Sequence, residues 1–141
     1  MSKEVIDECV KEMKEGPQRY WFYGPTGSKK SYTAKKIAAT LGMKVYMKSP
    51  SRKWKDYNNE KIVIIDGIDK KGLEYVRHNI DKWMDYYEFD CNKEEEQGRC
   101  MIDGSNYHLI ITSRYPPESM EIEEETREKF NRIFKVIEFK N

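Results

Sequence analysis

Tyr20-Trp-Phe-Tyr23-Gly24-Pro-Thr-Gly27-Ser-Lys29-Lys30-Ser31, with the helical run to Leu41 behind it, is the stretch that decides the fold. Its last eight residues match the phosphate-binding pattern G-x-x-x-x-G-K-[ST] at every position but one: Lys29 stands where the second glycine belongs. The aromatic lead-in reads as a strand and the lead-out as a helix. In that setting backbone N–H groups and the positive helix end converge on a phosphate. Gly24, Pro25, Thr26, Gly27, Ser28, Lys29, Lys30 and Ser31 are therefore the expected nucleotide-binding residues. Lys30 is expected to neutralise β- and γ-phosphate charge, and Ser31 to ligate Mg²⁺ through its hydroxyl. ATP and Mg²⁺ are the implied cofactors. Taken without its neighbours, the octet is only a basic turn before a helix.

Two further stretches strengthen the reading. Ile62-Val-Ile-Ile65 is a continuous apolar run that ends in Asp66, thirty-five residues after Ser31. Such a run fits a strand buried on both faces. A carboxylate at its end, beside a phosphate loop, is placed to hold Mg²⁺; a helix cap or turn residue is the plain alternative. Leu109-Ile-Ile-Thr112-Ser113-Arg114 is a third apolar strand with a polar end. Arg114 there is expected to face the γ-phosphate or the attacking water.

The rest of the chain fits an α/β domain. Residues 3–14 carry Val5, Ile6, Cys9, Val10 and Met13 on one helical face, and Gly16-Pro17 ends that helix. Residues 1–17 form a short N-terminal helical segment, a candidate oligomerisation element, and residues 18–141 the domain proper. Strands are expected near 43–48, 62–65, 86–91, 99–103, 108–112 and 134–139, with helices over 69–85 and 121–132. Residues 49–60 read as a polar loop. Buried strands separated by helices argue for a mostly parallel sheet.

Ten Lys/Arg and no Asp or Glu lie between Gly16 and Lys55, whereas Glu118 to Glu128 holds six Glu. Two solvated faces, or head-to-tail docking of copies, would both produce this polarity. Three cysteines without a CxxC pair, and only two histidines, give no zinc pattern. A reducing intracellular compartment is the default expectation from the cysteine usage, and with no secretion signal or membrane-length apolar run no membrane partner is expected.

The ordered set of motifs resembles the superfamily 3 helicase domain of Rep, the rolling-circle replication initiator of small circular single-stranded DNA viruses and related plasmids. Gly24 to Ser31 is similar to its Walker A, Lys61-Ile-Val-Ile-Ile-Asp66 to its Walker B, and Ile110-Ile-Thr-Ser-Arg-Tyr-Pro-Pro117 to its motif C. Lys53-Trp54-Lys-Asp56-Tyr57 resembles a K-W-x-D-x-Y segment with one residue missing. Ile80 to Phe89 resembles the stretch leading into its DNA-contacting loop. Asn131-Arg132-Ile133 with Val136 to Phe139 resembles its arginine-finger region and last strand. The resemblance implies an AAA+-like P-loop ATPase that assembles as a homo-oligomeric ring, a hexamer, with ATP between subunits and single-stranded DNA in the pore. It implies Arg132 as a finger acting on a neighbour, with Arg127 the alternative, and Lys93 and Arg99 as DNA contacts. For a viral source it implies the host nucleus. Full Rep proteins also carry a nicking domain with a metal-binding His pair, and no His-x-His occurs in this sequence.

The sequence departs from the family at chemically relevant places. Lys29 replaces the Walker A glycine, Gly67 follows Asp66 where many relatives carry a second acid, and Arg114 replaces the motif C Asn. Asp69 is the nearby carboxylate that would substitute for the missing acid. Glu94-Glu95-Glu96 sits in a loop the family keeps basic, and like charge opposes phosphate binding. A second reading is therefore a degenerate ATPase that serves as a nucleotide- or DNA-binding assembly module. A third is a small-nucleotide kinase, which the motif C resemblance and the lack of an Arg-rich lid weaken.

Overall fold

The computed structural model describes residues 2–91 and 100–141. Helix α1 (Ser2–Glu15) leads into strand β1 (Arg19–Tyr23), and the glycine-rich loop joins β1 to α2 (Lys30–Leu41). Strands β2 (Val45–Met47) and β3 (Ile62–Ile68) follow, then α3 (Lys70–Met84). A small antiparallel pair, β4 (Glu88–Asp90) and β5 (Met101–Asp103), precedes β6 (His108–Ser113). Helix α4 (Glu124–Ile133) and β7 (Lys135–Glu138) complete the chain.

The main sheet is parallel throughout, in the order β2-β3-β6-β1-β7. Strand β6 thus lies between the strand feeding the phosphate loop and β3, which carries Asp66 and runs two residues beyond it. Side chains alternate across each strand, and both faces are covered. Tyr20, Phe22, Ile62, Ile64 and Ile110 pack with Ile6, Cys9 and Met13 of α1 and Ala34 and Ile37 of α2. Trp21, Val63, Ile65, Leu109 and Ile111 pack with Leu73, Val76 and Ile80 of α3 and Phe130 of α4. Burying both faces forces these strands to read as continuous apolar runs.

Two buried cations hold the parts that lack regular structure. The Arg19 guanidinium donates to the carbonyls of Met84, Asp85, Tyr107 and Gly104, and lies over the rings of Tyr86 and Tyr107. It thereby fixes the base of the β4–β5 hairpin to β1. The Lys48 ammonium donates to the carbonyls of Ser49, Ser51 and Lys53, and sits 4.2 Å from the Trp83 ring centre. Residues 49–60, expected as a polar loop, carry Trp54 into the core among Tyr46, Tyr57, Trp83, Phe89 and Tyr107. A tryptophan plug covers the sheet where a crossover helix otherwise would. Cys91 and Cys100 are disulfide-bonded across the hairpin, a pairing their spacing did not signal. Among the described residues, no helix is long and apolar enough to cross a membrane.

Candidate active site

The glycine-rich loop turns tightly against the end of the sheet. Gly24 has φ 152°, and a Cβ there would run into the Phe139 carbonyl, so only glycine fits. Lys29 adopts φ 70° and ψ 27°, the left-handed conformation that the pattern's glycine would take freely. A lysine in that conformation costs about 1–2 kcal/mol. Its carbonyl accepts from the Thr33 N–H at 3.0 Å and from the Thr33 hydroxyl at 2.7 Å, which anchors the strained residue to the first turn of α2.

Lys30 is buried, and its ammonium points back into the loop. It donates to the carbonyls of Gly24 (2.7 Å) and Pro25 (2.8 Å) and to the Ser28 hydroxyl (3.3 Å). Burial pushes its pKa down, with Asp66 opposing that shift and Arg114 adding to it. The loop's own carbonyls therefore hold the cation inside the loop.

Ser31, Asp66 and Thr112 meet at the carboxyl ends of the strands. The Ser31 hydroxyl donates to Asp66 Oδ1 at 2.6 Å, and the Thr112 hydroxyl donates to the same oxygen at 2.6 Å. The pairing of β3 with β6 slips between Ile65 and Ile68, so Asp66 and Gly67 together oppose Thr112. This is a β-bulge, the device that re-aims a side chain at a strand end. Gly67 has φ 62° within it. A second acid at that position would carry the left-handed penalty, which glycine avoids. Asp69 caps α3, accepting from the Gly72 N–H at 2.8 Å, and lines the same cleft. Arg114 is exposed at the end of β6 and leans on Tyr115, 5.6 Å from its ring centre.

Lys30, Ser31, Gly67, Asp69, Thr112 and Arg114 line a cleft of about 480 Å³, and Asp66 borders it through its bonds to Ser31 and Thr112. It lies outside the carboxyl ends of parallel strands, where ligands bind in open α/β sheets. The donor set toward a cation is a hydroxyl and a carboxylate, hard oxygens that suit Mg²⁺. Among the described residues no group of three or more His, Cys, Asp or Glu gathers as a metal cluster.

The RNA helicase family matches residues 20–113, from β1 through the end of β6, and so spans every element that builds this cleft. The chain belongs to the RNA helicase family. It is a helicase-type P-loop domain. No curated protein matches it. Among solved structures it is similar to a Pif1 helicase chain studied for DNA unwinding at forked double-stranded DNA, with TM-score 0.43 and 11% identity. That similarity covers 96% of this chain but 43% of the Pif1 chain, so this helicase-family chain spans less than half of that protein's length. It is also similar to a possible uridine kinase from Bacillus stearothermophilus, with TM-score 0.40, 12% identity, and 96% and 79% of the two chains covered.

Within this helicase-type domain, the structure gathers Lys30, Ser31, Asp66, Asp69 and Arg114 around one cleft and leaves Arg132 apart from them. Arg132 is exposed in the last turn of α4, three residues before the point where Lys135 pairs with Tyr20 at the start of β1. The phosphate loop begins at the other end of β1, a strand length of roughly 13 Å away. Arg127, the alternative finger, is engaged in its own subunit: its guanidinium donates to the Pro117 carbonyl at 3.0 Å and the Met120 carbonyl at 2.6 Å. Lys93 and Arg99 lie outside the described residues. Sequence reading missed Thr112, whose only signal was a hydroxyl at the end of an otherwise apolar strand.

Proposed function

We propose that this chain is the ATP-hydrolysing motor domain of a Rep-type replication initiator, moving along single-stranded DNA. The observation that carries the reading is the meeting of Ser31 with Asp66 beside the Lys30 loop at one strand-end cleft, with β6 between β1, which feeds that loop, and β3, which carries Asp66. Backbone N–H groups of residues 24–31 would cradle the phosphates, and Lys30 would neutralise them. Ser31 and Asp66 would hold Mg²⁺, whose contribution when bound is to neutralise charge that develops on the phosphoryl oxygens. Arg114 would approach the γ-phosphate from β6, and Asp69 would orient water from its place at the start of α3.

Ring assembly belongs to the same proposal. Arg132 stands at the end of the sheet away from its own phosphate loop, a placement that supports action on a neighbouring subunit. Residues 1–17 would contribute to that contact through faces that α1 does not spend on α2 and β7. Lys93 and Arg99 remain the proposed strand contacts.

A second reading has its own support. Lys29 holds a strained conformation in the loop, and Gly67 supplies no second carboxylate beside Asp66. A domain that binds nucleotide and turns it over slowly, serving assembly, fits those two positions.

The test is ATP turnover with Mg²⁺, measured with and without single-stranded DNA and single-stranded RNA, together with displacement of a labelled strand. A motor on DNA gives turnover that rises with single-stranded DNA and releases the strand. Stimulation by RNA alone would replace the DNA assignment, and nucleotide binding without turnover would establish the second reading.

A further inference from the structure

We infer that Thr112 is a positioning residue for the Mg²⁺-holding carboxylate, an inference that rests on the nucleotide-site reading above. Thr112 is completely buried, yet its hydroxyl has two partners, both in the bulge of β3. It accepts from the Gly67 N–H at 2.7 Å and donates to Asp66 Oδ1 at 2.6 Å. The direction of these bonds is fixed by chemistry. The Gly67 N–H can only donate, so a lone pair of Thr112 is committed to it. The single hydroxyl proton then has the Asp66 carboxylate as its acceptor.

Two consequences follow at Asp66. Oδ1 accepts hydrogen bonds from both Thr112 and Ser31, which leaves Oδ2 as the carboxylate oxygen available to a cation. The Ser31 hydroxyl, its hydrogen engaged by Asp66, keeps its lone pairs free to ligate a cation. Thr112 thus fixes the carboxylate oxygen to which Ser31 also donates. The bulge makes this necessary. Asp66 sits where the ladder between β3 and β6 is interrupted, so backbone pairing alone does not fix its side chain. Thr112 is the one residue opposite the interruption. Partners that orient metal ligands in this manner typically account for 10- to 100-fold in metal affinity.

The experiment compares the parent, Thr112→Val, which keeps the shape and removes the hydroxyl, and Thr112→Ser, which keeps the hydroxyl. Two quantities are read. One is Mn²⁺ affinity in the presence of ADP, by electron paramagnetic resonance. The other is affinity for a fluorescent ADP in EDTA. Thr112→Val is expected to weaken Mn²⁺ binding at least tenfold and leave metal-free ADP affinity within about twofold. Thr112→Ser is expected to hold Mn²⁺ within about threefold of the parent. Thr112→Ala provides the same comparison if the valine variant does not fold. Unchanged Mn²⁺ affinity in a folded hydroxyl-free variant, or equal loss in both columns without rescue by serine, overturns the positioning role while leaving the nucleotide site standing. A parent that binds neither ADP nor Mn²⁺ overturns the nucleotide-site reading itself, and this inference with it.

Discussion

Replacing Lys29 by glycine separates backbone strain from charge in the phosphate loop. Lys29 is exposed and holds φ 70°, so its side chain packs on little while its backbone carries the penalty. Relief of the left-handed conformation is worth about 1–2 kcal/mol. Glycine gives back roughly 0.5–1 kcal/mol through the greater freedom of the unfolded chain. The balance is a gain centred on about 0.75 kcal/mol within a range of about 0–1.5, or a central rise of roughly 2–4 °C in melting temperature for a domain of this size. Differential scanning calorimetry without nucleotide measures it. Lys29→Ala is the control, since it removes the charge and keeps the strained Cβ; its melting point should stay close to the parent's. If alanine stabilises as much as glycine, crowding of the two lysine charges, not the backbone, limits the loop. If Lys29→Gly melts no higher than the parent, the strain argument fails. In the same variant ATP turnover should match or exceed the parent's, and a fall would make Lys29 a working phosphate ligand.

Lys30→Ala should weaken ATP binding at least tenfold, about 1.4 kcal/mol, by calorimetry; equal affinity would remove Lys30 from the site. Arg132→Ala and Lys30→Ala subunits should each be inactive alone and recover turnover when co-assembled, because some interfaces then pair an intact loop with an intact finger. No recovery in a mixture shown to co-assemble would confine Arg132 to its own subunit or to packing. Buried His108 accepts from the Gln18 N–H, and desolvation, with Arg19 and Lys61 nearby, pushes its pKa from 6.5 down to about 4. The folded state therefore resists a proton that the unfolded chain accepts. Stability should be lost as pH falls through that window, by on the order of 3 kcal/mol, and be insensitive to this group above it. Denaturant titrations should show a flatter acid limb for His108→Gln, and an unchanged limb would assign the loss to other groups.

What the sequence made legible was whatever a short run could encode. The strands at 19–23, 62–65 and 108–112 each bury both faces, so each announces itself as a continuous apolar run. The loop was legible because its glycines, Lys30 and Ser31 are contiguous. The order of the strands was not, because parallel neighbours such as β1 and β6 are separated by some ninety residues of chain that leave no local mark. The Thr112 tie to Asp66 arises from a bulge, a two-against-one mismatch that exists only once β3 and β6 are paired. Trp54 was assigned to a polar loop because its neighbours are charged; Lys48 and five aromatic rings recruit it to the core through contacts distant in sequence. Arg132 was the expected finger and Arg127 the alternative on the same helix, and only the fold shows Arg127 spent on its own backbone.

The central claim is that the Ser31–Asp66 pair at the end of β3 is the Mg²⁺ site of an ATP-hydrolysing motor. Mg²⁺-dependent ATP turnover by the parent and by Asp66→Asn, both checked for folding by calorimetry, tests it most directly. The account predicts turnover in the parent that requires Mg²⁺, and a loss of at least a hundredfold in a variant that still folds and still binds ADP in EDTA. Turnover in folded Asp66→Asn equal to the parent's would contradict it.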